Sequence, residues 1–315
     1  MPDAARLAPF VSDTFESTPE YEPLRRAVVA DDWELAEAHL ATLAAPVVTY
    51  TLADLARERD ADEFLVRAAE RHPRSPYANV AFAHRSVMRS WEVRSDRPAD
   101  QVSSEQFARF RDGLLVAERL LIDVCAHDPA FAPAWSLRVV TARGLEVGKA
   151  EARRRYARTA ALSPGDLPTQ AQMLQYLSPK WFGSVEEAGD FARECASAGG
   201  PSSALIGLHH IEEWLRADDR AQRAAYLADP ATRSEIDAAS SRLLASGAGV
   251  DPVTVLAHSI LSMVLWLAGA RQSAFSHADA AGGRQARFPW NYLPNSAARF
   301  QAAYAAHRDE RKEST

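Results

Sequence analysis

Cysteine is scarce in this chain: only Cys125 and Cys195 occur in 315 residues, and no CxxC pair is present. Two thiols in separate segments read as small buried apolar side chains in a reducing compartment, with no disulfide framework. A glycine-rich phosphate loop, a GxSxG elbow and an HExxH motif are all missing. No segment sustains strand alternation and β-branched residues are sparse, which removes the strand-to-helix turns that usually carry nucleotides. Positive charge is not in excess. Lys and Arg number 36 against 42 Asp and Glu, a net charge of -6, so the chain has no bulk attraction for nucleic acid or anionic membrane. Residues 1–13 hold one arginine and two aspartates, without the basic start and apolar run of a secretory signal, and the expected location is the cytoplasm. Only one long uncharged run exists, PVTVLAHSILSMVLWLAGA at 252–270. A membrane span needs about 20 apolar residues, but Thr254, His258, Ser259 and Ser262 interrupt this one. It reads as the buried central helix of a soluble bundle, and no membrane contact is expected.

What is present favours helix. Hydrophobic residues make up 47% and charged residues 25%, an ordinary globular mix with enough length for a sizeable core. Alanine and arginine are frequent and apolar positions recur at spacings of three and four. Asp229-Pro230, Asp251-Pro252 and Ser75-Pro76 each place an N-cap before a proline suited to the first helical turn. Ser184 with Glu187 and Ser103 with Gln106 have capping-box spacing, and Gly199-Gly200-Pro201 ends one helix and starts another. Together these signals predict sixteen helices, among them 51–59, 76–92, 104–127, 149–162, 202–217, 252–268 and 292–309. Short connections force antiparallel neighbours, so the expected architecture is all-α, a run of stacked antiparallel helix hairpins.

A repeated grammar runs through the first two thirds. AERLLIDVCAHDPAFAPAWSLRVV at 117–140 and ARRRYARTAALSPGDLPTQAQMLQYL at 152–177 each place a proline after an apolar helix, then a short turn and a new helix; Pro129 and Pro164 are 35 residues apart. AAERHPRSPYANVAFA at 68–83 does the same at Pro73. This resembles the tetratricopeptide repeat over roughly positions 20–215. The resemblance implies a right-handed solenoid whose concave face holds a peptide or protein. Residues 173–195, MLQYLSPKWFGSVEEAGDFAREC, also resemble a segment of an uncharacterised bacterial helical-repeat family of unknown function. The architectural reading of that segment is that Trp181 and Phe182 plug a turn, Gly183 permits the bend and Ser184 caps the next helix.

Four groups of residues are candidates for chemistry. His209, His210 and Glu213 stack at helical spacings and could supply two metal ligands or a solvated ion pair on the face opposite Ala204, Leu208, Ile211 and Leu215. Thr254, His258 and Ser262 make a polar stripe on the apolar helix, with Trp266 a turn further; His258 could serve a pocket or bond a backbone carbonyl. Lys149, Arg153, Arg154, Arg155 and Arg158 crowd one helix and could bind phosphate, an acidic peptide or RNA, or, diluted by Glu146 and Glu151, form a solvated face. Arg287-Phe288-Pro289-Trp290-Asn291-Tyr292-Leu293-Pro294 is irregular and reads as a terminal cap or an anchoring surface. Asn79 is the one asparagine placed for the tetratricopeptide carboxylate clamp, and no such clamp is evident.

The expected organisation is a loosely ordered segment 1–18 in which Leu7, Phe10, Val11 and Phe15 could dock, repeats over 19–217, a C-terminal helical bundle and cap over 218–309, and a frayed tail 310–315. The leading expectation is a protein-interaction module without cofactor or metal, recognising its partner through Asn79, Trp135, Arg154, Arg158, Trp181 and His209. Its rival is an enzyme or small-ligand binder with one polar pocket made by His258, Ser262, His209 and Glu213.

Overall fold

A computed structural model describes residues 11–13, 15, 17–94 and 101–313; Leu7, Phe10 and residues 314–315, expected to dock or to fray, lie outside these. The regular elements among the described residues are helices, apart from one ladder of two three-residue strands. The chain divides into two compact units, one spanning Pro19–Ser184 and the other joining Val185–Thr315 to the first 18 residues.

The Pro19–Ser184 unit holds α1 (Glu22–Ala30), α2 (Trp33–Leu40), α3 (Ala45–Leu55), α4 (Asp62–Arg71), α5 (Pro76–Arg94), α6 (Ser104–His127), α7 (Ala132–Gly144), α8 (Lys149–Leu162) and α9 (Leu167–Tyr176). Consecutive helices from α4 to α9 pack on one another. Three of their junctions are built alike. The helices before Pro73, Pro129 and Pro164 end at Arg71, His127 and Leu162, and the next ones begin at Pro76, Ala132 and Leu167. A proline disfavours helical backbone in the residue before it. His72, Asp128 and Ser163 accordingly leave the helix with φ of -120°, -130° and -140°. Each still donates its N–H to the helix behind, over 2.9, 2.8 and 2.7 Å. Each carbonyl then accepts from the N–H three residues on, at Ser75, Phe131 and Asp166. Ser75 and Asp166 cap the helices that follow: the Ser75 hydroxyl accepts from the Ala78 N–H and the Asp166 carboxylate from the Thr169 N–H. The capping box of Ser103 and Gln106 is reciprocal.

Helix α3 differs from its sequence expectation of 51–59 and starts six residues earlier, at Ala45, with Pro46 in its first turn. The Val-Val-Thr-Tyr-Thr run disfavours helix by propensity. Tertiary burial overrides that preference: Val48, Thr49, Thr51, Leu52 and Leu55 are all buried, and α3 packs against α5, α7 and α9. The Thr49 hydroxyl lies 3.2 Å from the buried Asp166 carboxylate. Thr169 also bonds that carboxylate, at 2.7 Å, and pairs with Ser136 of α7 at 2.6 Å.

The other unit holds β1 (Val11–Asp13), α10 (Val185–Ala196), α11 (Ala204–Arg216), α12 (Arg220–Ala228), α13 (Pro230–Ala245), α14 (Pro252–Leu267), α15 (Arg271–Ala280), β2 (Arg284–Ala286), α16 (Arg287–Trp290) and α17 (Pro294–Glu313). Helices α10 and α11, assigned on sequence to the repeats, pack with this unit; α11 lies on α13 and α14. Helix α14 is the uncharged run. It is buried from Pro252 to Leu265, wrapped by α11, α13, α15, α16 and β2. It is 16 residues long, and no helix among the described residues is long and apolar enough to cross a membrane. Strand β1 pairs in parallel with β2, Val11 opposite Arg284 and Asp13 opposite Ala286. Three residues are too few to show alternation, which is why the ladder is invisible in the sequence.

Candidate functional site

The densest polar chemistry is on α11 and the helices beside it. Sequence spacing placed His209 and Glu213 on a solvated face; the structure corrects this, since His209, His210 and Glu213 are all buried. Helix α11 is covered nearly all round because α10, α13 and α14 pack on different sides of it. Glu213 pairs with Arg216 one turn along, at 2.7 Å. His210 is the better-connected histidine. Its Nε2 lies 3.1 Å from the Glu235 carboxylate on α13, and its Nδ1 lies 2.7 Å from the Tyr226 hydroxyl on α12. An ionised carboxylate only accepts, so Nε2 carries the proton and Nδ1 accepts from the phenol. Burial lowers the His210 pKa. Burial, with the charges of Glu213 and Glu235, pushes that of Tyr226 well up. The result is a phenol–imidazole–carboxylate chain with a neutral ring at its centre, which fixes the His210 tautomer. His209 makes no hydrogen bond to a described residue. Its ring lies against Gly189, where an added methyl would stand 3.2 Å from Nε2. Burial, then the neighbouring His210, lowers its pKa to about 4.

His258 belongs to a second, separate cluster. Its Nδ1 lies 2.8 Å from Nδ1 of His277 on α15, and the His277 Nε2 lies 2.8 Å from the Ser240 hydroxyl. Burial depresses His258 to about 4; burial and the His258 ring depress His277 to about 3. Both rings are therefore neutral near pH 7, and one proton is shared across the contact. The expected stripe does not act as a unit. Thr254 donates to the capping Asp251 at 2.6 Å, and Ser262 donates to the Ala274 carbonyl at 3.0 Å. The four residues expected to share one pocket thus fall into two clusters, because His209 looks toward α10 and His258 toward α15. His277, Tyr226 and Glu235 had no local signal; they arrive from other helices.

In the Pro19–Ser184 unit the candidates take mixed roles. Asn79 is buried, and its amide donates to the Pro73 carbonyl at 3.0 Å. Trp135 is also buried, and its indole donates to the Pro129 carbonyl at 3.1 Å, six residues back in both cases. Both therefore close the repeated turn. Arg154 is half exposed, pairs with Glu151 at 2.6 Å and lies over the Trp135 ring at 5.7 Å. Arg158, one turn along α8, is exposed. Trp181 is partly exposed and meets Trp91 edge-on, ring centres 5.8 Å apart. The Arg143 guanidinium lies over both rings, at 5.5 Å from Trp91 and 5.2 Å from Trp181. The bend after α9 needs Gly183, since a methyl there would stand 2.0 Å from the Leu177 carbonyl oxygen.

One feature of α8 is not evident from its own charge pattern. Arg155 is buried and joins Glu118 of α6 and Arg138 of α7, each guanidinium 3.0 Å from the same carboxylate oxygen. The sequence signal for it is Glu118 itself, which occupies the buried stripe of Leu114, Leu121 and Cys125. Among the described residues no group of three or more His, Cys, Asp or Glu is placed to hold a metal ion.

The chain matches no protein-family model, no curated protein and no solved structure.

Proposed function

We propose that residues 19–184 form a tetratricopeptide-like right-handed solenoid and serve as a protein-interaction module for a peptide or protein partner. The observation that carries this reading is the junction built three times with the same helix ends, backbone turn and bonds, at Pro73, Pro129 and Pro164. Stacked units of this kind present side chains in regular rows, which suits recognition of an extended partner. Helix α3 already lies against α5, α7 and α9, so the contact surface falls on side chains these helices leave outside. Trp181 with its stacked Arg143, and Arg154 with Arg158 on α8, are the residues of the types that dominate binding energy.

Selection of random peptides displayed on phage against the full chain tests this, followed by titration of the enriched peptides. A shared motif is expected, with affinity at least about tenfold weaker for Trp181→Ala or Arg154→Ala, the loss of one good anchor. Enrichment of no motif, or peptides whose binding ignores both substitutions, would sink the assignment.

A further inference from the structure

A crevice in the C-terminal unit lies between α14, α15, β2, α16 and α17, with His258 in its lining. Its lining is unusual in one respect: two of the residues that form it carry buried hydrogen-bond donors with no partner among the described residues. The Gln285 and Trp290 side chains are each 2% exposed, yet the Gln285 amide nitrogen and the Trp290 indole nitrogen have no hydrogen-bond partner. The Gln285 amide oxygen accepts from Gln301 at 2.7 Å, with the nitrogen on the other side. Trp290 is held by stacking on Phe300, ring centres 4.8 Å apart. Buried N–H groups are almost always paired, since leaving one unpaired forfeits its hydration without return. Two of them lining one crevice define a place for acceptor atoms.

The rest of the lining narrows the chemistry. Among the described residues no acidic side chain lines the crevice, and Arg284, whose guanidinium donates to the Val250 carbonyl at 2.7 Å, brings a positive charge to its wall. Burial keeps His258 neutral near pH 7. Ala278, Ala281 and Phe300 provide an apolar floor. Two unpaired N–H donors on residues that line one crevice, with a guanidinium among its lining, suit a carboxylate, whose two oxygens both accept, and the apolar lining suits a tail of a few carbons. We propose that this crevice is a binding site for a small aliphatic carboxylate, held by the Gln285 amide and the Trp290 indole with charge from Arg284. The walls stand too close for a water-sized space to be open between them, so occupancy displaces the Trp290 wall, and the indole itself reports binding.

The test is the indole N–H region of a 1H–15N spectrum of the full chain, with the Trp290 signal assigned by Trp290→Phe. Acetate, propionate and butyrate are titrated, with chloride and phosphate as controls. The expected result is a saturable downfield shift of the Trp290 proton with a carboxylate, at least about tenfold weaker in Gln285→Glu, where a second negative charge faces the ligand. The same carboxylate should raise the wild-type thermal midpoint, as any ligand of the folded state does; this readout decides the matter even where the variant fails to fold. The proposal is overturned by an indole signal that no carboxylate moves. It is equally overturned by a response that chloride or phosphate reproduces at the same concentration, or by exchange peaks showing a buried water as the partner of an unmoved Trp290.

Discussion

At the residue scale, charge and protonation carry the clearest consequences. Glu118 sits buried between two buried arginines, and the Thr141 hydroxyl also bonds it. Removing the carboxylate leaves Arg138 buried with no counter-charge beside Arg155, which keeps only its pair with Glu151 at 2.8 Å. Glu118→Ala is therefore expected to cost about 3–5 kcal/mol in urea unfolding, whereas replacing all three charges by apolar residues of similar size should be close to neutral. The buried histidines set a pH dependence. His84, His209, His258 and His277 have folded pKa values of about 3 to 4, below the ordinary 6.5. The unfolded chain then binds more protons than the folded one between pH 6.5 and about 4, so stability is complete above 6.5 and is lost as pH falls. The depressed carboxylates, such as Glu151 at about 2, act in the same direction but only as pH falls toward and below 4.5, so they add little between pH 7 and pH 5. Asp166, whose carboxyl is pushed up by burial, opposes the trend. A urea midpoint that drops between pH 7 and pH 5, with a shallower drop in His277→Leu, is the expected outcome. A flat profile would show that the folded state does not depress the histidines' pKa values, and a midpoint rising toward pH 5 would show them paired as cations.

At the scale of elements, caps and prolines decide where helices begin, and local chemistry made most of them readable. Asp251 accepts from the N–H groups of Val253 and Thr254 and from the Thr254 hydroxyl, anchoring the most buried helix of the molecule. Asp251→Ala is expected to cost about 1 kcal/mol, the ordinary worth of an N-cap, with Asp251→Ser recovering most of it in the same unfolding assay. Helix α3 shows the limit of local chemistry. Its β-branched run argues against helix, and only contacts with α5, α7 and α9 outweigh that preference. The short α16 in the aromatic segment was likewise unreadable, since Phe288 keeps an extended φ of -87° and ψ of 139° inside it.

For the whole molecule, the first described residues belong with the last helices, and not with the unit that follows them in sequence. Strand β1 reaches β2 across most of the chain's length. Deleting residues 1–18 should therefore speed amide exchange in β2 and in the 185–313 helices while leaving α4 to α9 unchanged, as read by segment-resolved hydrogen exchange. Uniform acceleration in both units, or protection of β2 left intact, would contradict this division.

The sequence by itself determined that the chain is helical, where most helices start, and that three proline turns share one grammar. These properties are local: they depend on capping side chains, proline's fixed φ and periodic burial, all set within a turn or two. Only the tertiary structure decided which polar groups meet. His210 finds Tyr226 and Glu235, His258 finds His277, and Arg155 finds Glu118, each through residues on other helices. Helical spacing tells which side chains share a face but not which neighbouring helix covers it. For that reason His209 and Glu213 looked exposed and are buried, and the four residues expected in one pocket divide between two.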